Sequence, residues 1–498
     1  MKKYFSLILF LPYATFAQVQ VAKIFSNNMI LQRNQPVHIW GIGIPGKVVN
    51  VSFGKENKTT IVQPDSSWNI FFHKYKATLH PKSLIISCGE KKIAFKNILM
   101  GDIWLCIGQS NMEFPMKNEI HFADEIKRSN QPLIRFYNPS FIGKNIFGTA
   151  YTDSMNQQLA SGNFYSNTSW ELCDSNSIKE MSAVGYYFGK EILQHENVPI
   201  GLIHLAIGGC PIETFISKDV LKHSKRFFNK VNGNWLTNEA LPVWIRERGK
   251  QNVGGVEYAD TSGPNHGYKP GFAFENGIKP IIKLPVKGII WYQGESNAQE
   301  IERVNEYAEL QKLMIEDYRA EWHQPQLPFY WVQISSIDTA QYKSQLWPQF
   351  RDKQRKLLIM VKYGGMAVCS DIGFKNSVHP TNKKAVGDRL ARWALNKTYG
   401  ENIIPSGPLP VDAKYKNGKA IISFQYAGDG LRTSDGKTLR GFSIDGETDA
   451  NAIIKENEVY IMSKQKPRYV YYAWKPFTDA NLVNSENLPA STFKIKVN

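Results

Sequence analysis

Two hydrophobic rhythms succeed one another along this chain. From about Val19 to Asn97, short β-rich runs such as Val37 to Trp40 and Val48 to Phe53 alternate with turn clusters such as Pro45-Gly46 and Pro64 to Ser67. That spacing predicts a small β-sandwich, with no helix-period segment inside it. At Gly101 the rhythm changes. Apolar runs at Ile103 to Ile107, Leu133 to Tyr137, Ile200 to Ala206, Gly288 to Tyr292, Phe329 to Ile334 and Met366 to Cys369 read as buried strands. Between them fall helical patterns: Asn118 to Arg128, with Ile120, Phe122 and Ile126 facing inward; a helix capped by Ser182 and running to about His195; Glu300 to Trp322; a stretch from about Trp347; and Thr381 to about Asn396. Repeated strand and helix predicts an α/β layer with a mostly parallel sheet covered on both faces. Between Phe227 and Phe274 the rhythm lapses into a Gly-, Asn- and Trp-rich stretch, too long for an ordinary loop, that reads as a cleft-shaping insertion. After Pro405 to Pro408 the β-like runs return, among them Ala420 to Phe424, Glu458 to Met462 and Tyr469 to Ala473.

The expected organisation is therefore a leader at residues 1–17, an N-terminal β-sandwich-like domain at 18–97, a catalytic α/β domain at 98–404 with its insertion at about 227–274, and a C-terminal β-rich domain at 405–498. The leader is read from Met1-Lys2-Lys3, the apolar stretch Tyr4 to Ala14 and the small-residue site Thr15-Phe16-Ala17. It has the three-part form of a secretory signal peptide cut after Ala17, and its apolar run is too short for a spanning helix. Export, to the periplasm or the medium, is the expectation, without stable membrane insertion.

The formal charge of +16 raises nucleic acid as a partner. The basic residues are dispersed, however, no recognition motif is present, and export separates the protein from cellular nucleic acid. The charge instead suits solubility or weak attraction to acidic glycans. Five cysteines lack the close spacing of zinc sites, and an odd number leaves at least one thiol unpaired. Cys106 and Cys369, inside apolar runs, read as buried free thiols. The ten histidines form no His-x-x-x-His pair, and no phosphate loop or dinucleotide fingerprint occurs. Neither metal nor cofactor is expected.

Chemistry concentrates at three strand ends. Ser110, in Gly108-Gln109-Ser110-Asn111-Met112, follows the run Ile103 to Ile107, where a hydroxyl faces the crevice in which α/β sheets bind ligands. Val378-His379-Pro380 offers a base far downstream. Two polar loops lie between them: the Gly208-Gly209 turn, where a missing Cβ lets backbone approach a substrate, and Gln293 to Asn297.

The strings GDIWLCIGQSNMEFPM (Gly101 to Met116), IWYQGESNA (Ile290 to Ala298) and VHPTNKKAVGDRLA (Val378 to Ala391), with LIHLAIGGCPIETFIS (Leu202 to Ser217) and further segments from Ser26 to Gly446, resemble the sialate O-acetylesterases, members of the SGNH-type hydrolases. The resemblance spans most of the mature chain and implies a small doubly wound sheet. By it, Ser110 attacks an acetyl carbonyl, His379 shuttles the proton, and no cofactor is used. The implied oxyanion hole takes the N–H of Ser110, an N–H of the Gly208-Gly209 turn, and a side-chain amide, with Gln293 favoured over Asn297 because it stands nearer the strand end. Gln109 and Asn111 support the nucleophile, and Glu295 either orients a neighbour or is a solvated loop charge.

The acid departs from the superfamily pattern. Where many SGNH hydrolases carry Asp three residues before the histidine, this chain has Asn376. Asp371, after the run Met366 to Cys369, is expected to hold the imidazole; Asn376 or a backbone carbonyl are the alternatives. The expected substrate is O-acetylated sialic acid, with acetylated xylan or another glycan as the enzymatic alternative. A cleft arginine would suit the sialate carboxylate, and Arg246, Arg248 and Arg351 are the candidates. A reading from another class is an inactive glycan-binding protein, with Trp235, Trp244 and Tyr258 stacking on sugars. A glycosidase using Glu113 and Glu295 ranks last.

Overall fold

The computed structural model describes residues 19–258 and 260–498; the expected leader lies outside the described residues. Strands Val19–Val21, Pro36–Gly43 and Ser67–Lys74 form an antiparallel sheet. Trp68 is buried there, its indole N–H shared between the carbonyls of Gln20 and Ile42. A second antiparallel set, Val48–Phe53, Glu56–Ile61 and Thr78–Cys88, pairs onward to a long strand, β1 (Lys91–Gly108). Period-2 alternation is visible where one face is buried: Val49, Val51 and Phe53 point inward while Val48 and Asn50 are exposed.

β1 is the spine of the molecule. Its first half closes the N-terminal sheet, and its second half lies in a stack of parallel strands. These are β2 (Gln131–Tyr137), β3 (Ile200–His204), β4 (Gly288–Tyr292), β5 (Phe329–Gln333) and β6 (Gly364–Val368). Their order is β2-β3-β1-β4-β5-β6, with each neighbouring pair parallel. Glu171–Cys173 adds an antiparallel edge to β2, so the whole sheet is mixed. The expected boundary near residue 98 falls inside an unbroken strand, and one hydrophobic core runs from Val19 to Leu409. A second cluster, from Ala413 to Val497, lies within the C-terminal β sheets.

After β1 the chain builds β2 and β3 on one side and then β4, β5 and β6 on the other. The carboxyl end of β1 is thus a topological switch point, the place where open α/β sheets leave a crevice. The principal helices are α1 (Ser110–Glu113), α2 (Ala183–Glu196), α3 (Val243–Val253), α4 (Ile301–Glu321), α5 (Trp347–Met360) and α6 (Lys383–Ala394). Ser182 caps α2 by accepting from the N–H of Gly185, and Asn382 caps α6 by accepting from that of Ala385. α6 lies close on α2, since a Cβ at Gly387 would stand 2.6 Å from Tyr187 Cβ.

One expected helix is broken. Between Asn118 and Arg128 the chain makes only short turns, at Met116–Asn118, Phe122–Glu125 and Ile126–Arg128, and Ile120 is 64% exposed. The inward positions are instead Glu119 and Glu125, which accept hydrogen bonds from Tyr187 and Tyr186. Buried carboxylates that find such donors outcompete the apolar pattern. All five cysteines are buried and free. Among the described residues no helix is long and apolar enough to cross a membrane.

Candidate active site

Ser110 opens α1 directly beyond β1. Gly108 makes the turn possible: it sits at φ +138°, and a Cβ there would come within 2.1 Å of the Tyr292 carbonyl at the end of β4. Gln109 follows in extended backbone, its N–H bonded to the Tyr292 carbonyl, which delivers Ser110 to the rim. His379 precedes α6, and its Nε2 lies 2.8 Å from Ser110 Oγ. Two side chains separated by most of the catalytic region therefore meet at the switch point. Burial first, and then the charge of Lys383, lower the His379 pKa to about 4, so the ring is neutral near pH 7.

Beneath the pair lies a buried polar network. Asn111 Nδ2 donates to Glu295 Oε1 at 2.5 Å and to the carbonyl of Val378 at 3.0 Å, while its Oδ1 accepts from Lys383 Nζ. One amide thus ties the residue after the nucleophile to the residue before the base. Gln109 Oε1 accepts from the N–H groups of Gly294 and Ser296, fastening the third loop to the first. Lys383 is completely buried over the rings of Phe114 and Tyr292. Burial pulls its ammonium down to about 7 against the opposing pull of Glu295, and burial raises the Glu295 carboxyl.

The glycine turn completes the rim. Cys210 N–H bonds the Ile207 carbonyl, which places Gly208 and Gly209 at the turn centre, Gly209 at φ +73°. A Cβ at Gly208 would stand 2.7 Å from Glu113 Oε2 and 3.9 Å from Ser110 Cβ; one at Gly209 would stand 2.5 Å from Tyr268 Oη. The Gly208 N–H serves the Glu113 carboxylate. Among the described residues the N–H groups of Ser110 and Gly209 have no acceptor.

Comparison with known proteins points to acetylesterases. A family model for sialic acid-specific acetylesterases, a class of carbohydrate esterase, matches residues 268–396, which include His379. Human sialate O-acetylesterase is 27% identical over 438 residues, covering 81% of this chain and 76% of the relative. The mouse protein is 25% identical over 454 residues, covering 81% and 78%. A crystal structure of a carbohydrate acetylesterase from Xanthomonas citri aligns with a TM-score of 0.77 at 28% identity, over 96% of this chain and 99% of that one. The chain carries a sialic acid-specific acetylesterase domain at residues 268–396 and is similar to the sialate O-acetylesterases over most of its length. It is a carboxylic ester hydrolase.

Within the esterase, three expected roles are corrected. Asp371 does not reach His379: its two oxygens each accept from Arg389 at 2.7 Å, a bidentate pair with a guanidinium one and a half turns into α6. Asn376 does not reach it either, because it sits at the exposed tip of the tight turn bridging Phe374 and Ser377. Among the described residues His379 Nδ1 has no acceptor, so the arrangement is a Ser-His pair held through the backbone. The side-chain amides of Gln293 and Asn297 are also spent. Gln293 Nε2 donates to Asn297 Oδ1 and the Cys210 carbonyl, and its Oε1 accepts from Tyr307. Asn297 Nδ2 donates to Glu213, itself buried against Lys230. Both amides are fully buried and brace the loops from behind.

Glu295 orients a neighbour, Asn111, and is not a solvated charge. Glu113 is occupied by Lys144 at 3.6 Å, with its own pKa raised by burial. Trp235 is core, its N–H bonded to the Pro264 carbonyl; Tyr258 is exposed, and Trp244 is half-buried against Ser296. Arg351 donates to the carbonyls of Ala473, Pro476 and Lys475, anchoring α5 to the C-terminal region rather than serving a cleft.

Lys383 was not among the residues anticipated. Its signal was present: a lysine in the first turn of a helix opposes the macrodipole, so another interaction must hold it there.

Asp371→Ala should leave kcat within about threefold of wild type while removing about 1.5–3 kcal/mol of stability, the worth of hydrogen bonds to a charged group. Steady-state kinetics beside urea denaturation tests this; a hundredfold loss of kcat would return Asp371 to the mechanism.

Proposed function

We propose that the esterase is a carbohydrate O-acetylesterase of SGNH type that removes O-acetyl groups from sialic acid through an acetyl-enzyme. The observation that carries this reading is the 2.8 Å approach of His379 Nε2 to Ser110 Oγ at the switch point. Ser110 Oγ attacks the acetyl carbonyl as neutral His379 takes its proton. The carbonyl oxygen becomes an oxyanion, met by the N–H groups of Ser110 and Gly209. Collapse breaks the ester C–O bond, and the imidazolium returns its proton to the departing sugar hydroxyl. Water, deprotonated by the same imidazole, then releases acetate and regenerates the serine. Acyl transfer to water requires no cofactor.

The match with human and mouse sialate O-acetylesterases supports sialic acid. The end-to-end alignment with the Xanthomonas citri carbohydrate acetylesterase supports a second reading, an acetylated neutral glycan such as xylan. The leader-like amino terminus supports export, and the dispersed basic charge gives nucleic acid no footprint.

Acetate release from O-acetylated sialic acid is expected to exceed that from acetylated xylan by at least about tenfold in kcat/KM, the scale on which polar contacts to a substrate discriminate. The reverse order would establish the second reading. A fluorophosphonate that labels no serine in the folded protein would favour the inactive binding module.

A further inference from the structure

The insertion delivers α3 to the rim of the active site, and with it two side chains one helical turn apart. Trp244 stands against Gly209, where a Cβ would come within 3.0 Å of its ring, and its N–H reaches Ser296. Arg248 follows at the i+4 position and shares the same face. Its guanidinium carbon lies 5.0 Å from the centre of the Trp244 ring and 5.3 Å from that of Phe147. The cation is therefore clamped between two aromatic rings, an arrangement that holds a guanidinium while leaving its N–H edge free.

That edge has no partner. Nε and Nη1 of Arg248 are buried without an acceptor, and among the described residues no carboxylate lies within ion-pair distance of it. Most other enclosed cations among the described residues have acceptors, either carboxylates, as Lys230 with Glu213 and Glu306, Arg389 with Asp371 and Arg33 with Asp102, or backbone carbonyls, as Arg135 and Arg351. Buried donors without acceptors are rare and costly, so an orphaned guanidinium in a cleft points to an anion supplied from outside.

The shallow, solvent-open cleft beside it is lined by Phe147, Tyr151, His266, Tyr268, Glu113 and Gly208. Phe147, one of the two rings that clamp Arg248, lines this cleft, which sets the guanidinium beside it. Gly208, whose Cβ position lies 3.9 Å from Ser110 Cβ, lines this cleft along with Phe147, so the cleft adjoins both the nucleophile and the clamp on Arg248. Its acidic lining residue, Glu113, already faces Lys144 at 3.6 Å and so does not compete for Arg248.

We propose that Arg248, clamped between Trp244 and Phe147, binds the carboxylate of an acidic sugar whose acetyl ester is held at Ser110. This deepens the sialic acid reading above and rests on it. Of the three arginines singled out in the sequence, Arg351 is spent on backbone carbonyls. Arg246 has a buried, unpartnered Nε but no aromatic clamp within cation–π range. The two rings and the adjoining cleft select Arg248.

The test compares kcat/KM for 9-O-acetyl-N-acetylneuraminic acid with that for its 1-carboxamide, which keeps the sugar and removes the charge. Wild type is expected to prefer the acid by about 10- to 100-fold, chiefly through KM, as for a hydrogen-bonded charge pair. Arg248→Met should bring the two substrates within about threefold of each other, and Arg248→Lys should retain part of the preference because it keeps charge without the fork. Equal use of acid and carboxamide by wild type, or an undiminished preference in Arg248→Met, overturns the proposal. Should wild type deacetylate neither compound, the sialic acid reading falls by itself. Free N-acetylneuraminate and its 1-carboxamide are then compared as inhibitors of 4-nitrophenyl acetate hydrolysis: stronger inhibition by the acid, lost in Arg248→Met, upholds the carboxylate site, and equal inhibition sinks it.

Discussion

Ser110→Ala lowers kcat for acetyl ester hydrolysis by about 10⁴- to 10⁶-fold, the range seen when one member of a serine-histidine unit is removed. His379→Gln produces a loss of the same order, because a hydroxyl without its base is a poor nucleophile at neutral pH. The double variant is no slower than the worse single one: Oγ and Nε2, 2.8 Å apart, act as one device. A residual rate about 10³-fold above the uncatalysed reaction persists, owed to the Ser110 and Gly209 N–H groups and to substrate positioning. Initial rates of acetate release, read beside fluorophosphonate labelling, check all of this. A Ser110→Ala enzyme with a tenth of wild-type kcat would end the acyl-enzyme scheme.

Lys383→Met has the second-largest effect, and it reads out in two ways. Lys383 and Glu295 are both buried, so removing one charge strands the other at a cost of about 3–5 kcal/mol. The cost also depends on pH. Folding lowers the Lys383 pKa from 10.5 to about 7, so in that window the unfolded chain binds more protons than the folded one. Wild-type stability therefore gains from this group as pH rises from about 7 to 10.5, and the methionine variant lacks that gain. The second readout is catalytic. The Lys383 charge contributes to the depression of His379, so its loss moves the acid limb of kcat/KM upward from about 4 toward the ordinary histidine value. The movement is partial, because burial is the larger cause. Denaturation at several pH values and a pH-rate profile test the pair of claims; an acid limb that stays in place would deny Lys383 any electrostatic hold on the base.

Much of the α/β layer was legible from apolar rhythm. The strands from Leu133, Ile200, Gly288, Phe329 and Met366 lie within about two residues of their expected limits, as does the helix capped by Ser182, while the run from Ile103 proved to be the second half of a strand that begins at Lys91. Strands buried on both faces announce themselves as unbroken apolar runs, and a cap is a local event. The failure at Asn118 to Arg128 has the converse reason. There burial was decided by Tyr186, Tyr187 and Lys190 reaching across from α2 to two carboxylates, and no local pattern carries that information.

The site divides along the same line. Ser110 and the glycine turn were readable as strand-end features whose identity follows from local backbone demands, glycine where a Cβ would strike Tyr292 and a hydroxyl where the strand stops, whereas His379 was legible only through the resemblance carried by Val378 to Ala391. Asp371, Gln293 and Asn297 were assigned to the chemistry and belong to the scaffold. A carboxylate goes to whichever cation lies nearest, and Arg389, brought round by α6, is nearer to Asp371 than the imidazole is. An amide facing inward is consumed by inward partners, as Tyr307 and Glu213 consume these two.

By itself, then, the order of residues determined the strands, the caps and the glycine turns, because these depend on steric and hydrophobic demands a few residues wide, whereas the meeting of Ser110 with His379 spans 269 positions and is a product of the fold. Only the tertiary structure decided which polar groups satisfy one another and which, like the guanidinium of Arg248, are left without an acceptor. Hydrogen bonds and ion pairs are settled by ångström distances between segments far apart in the chain, and such distances exist only once the chain has folded.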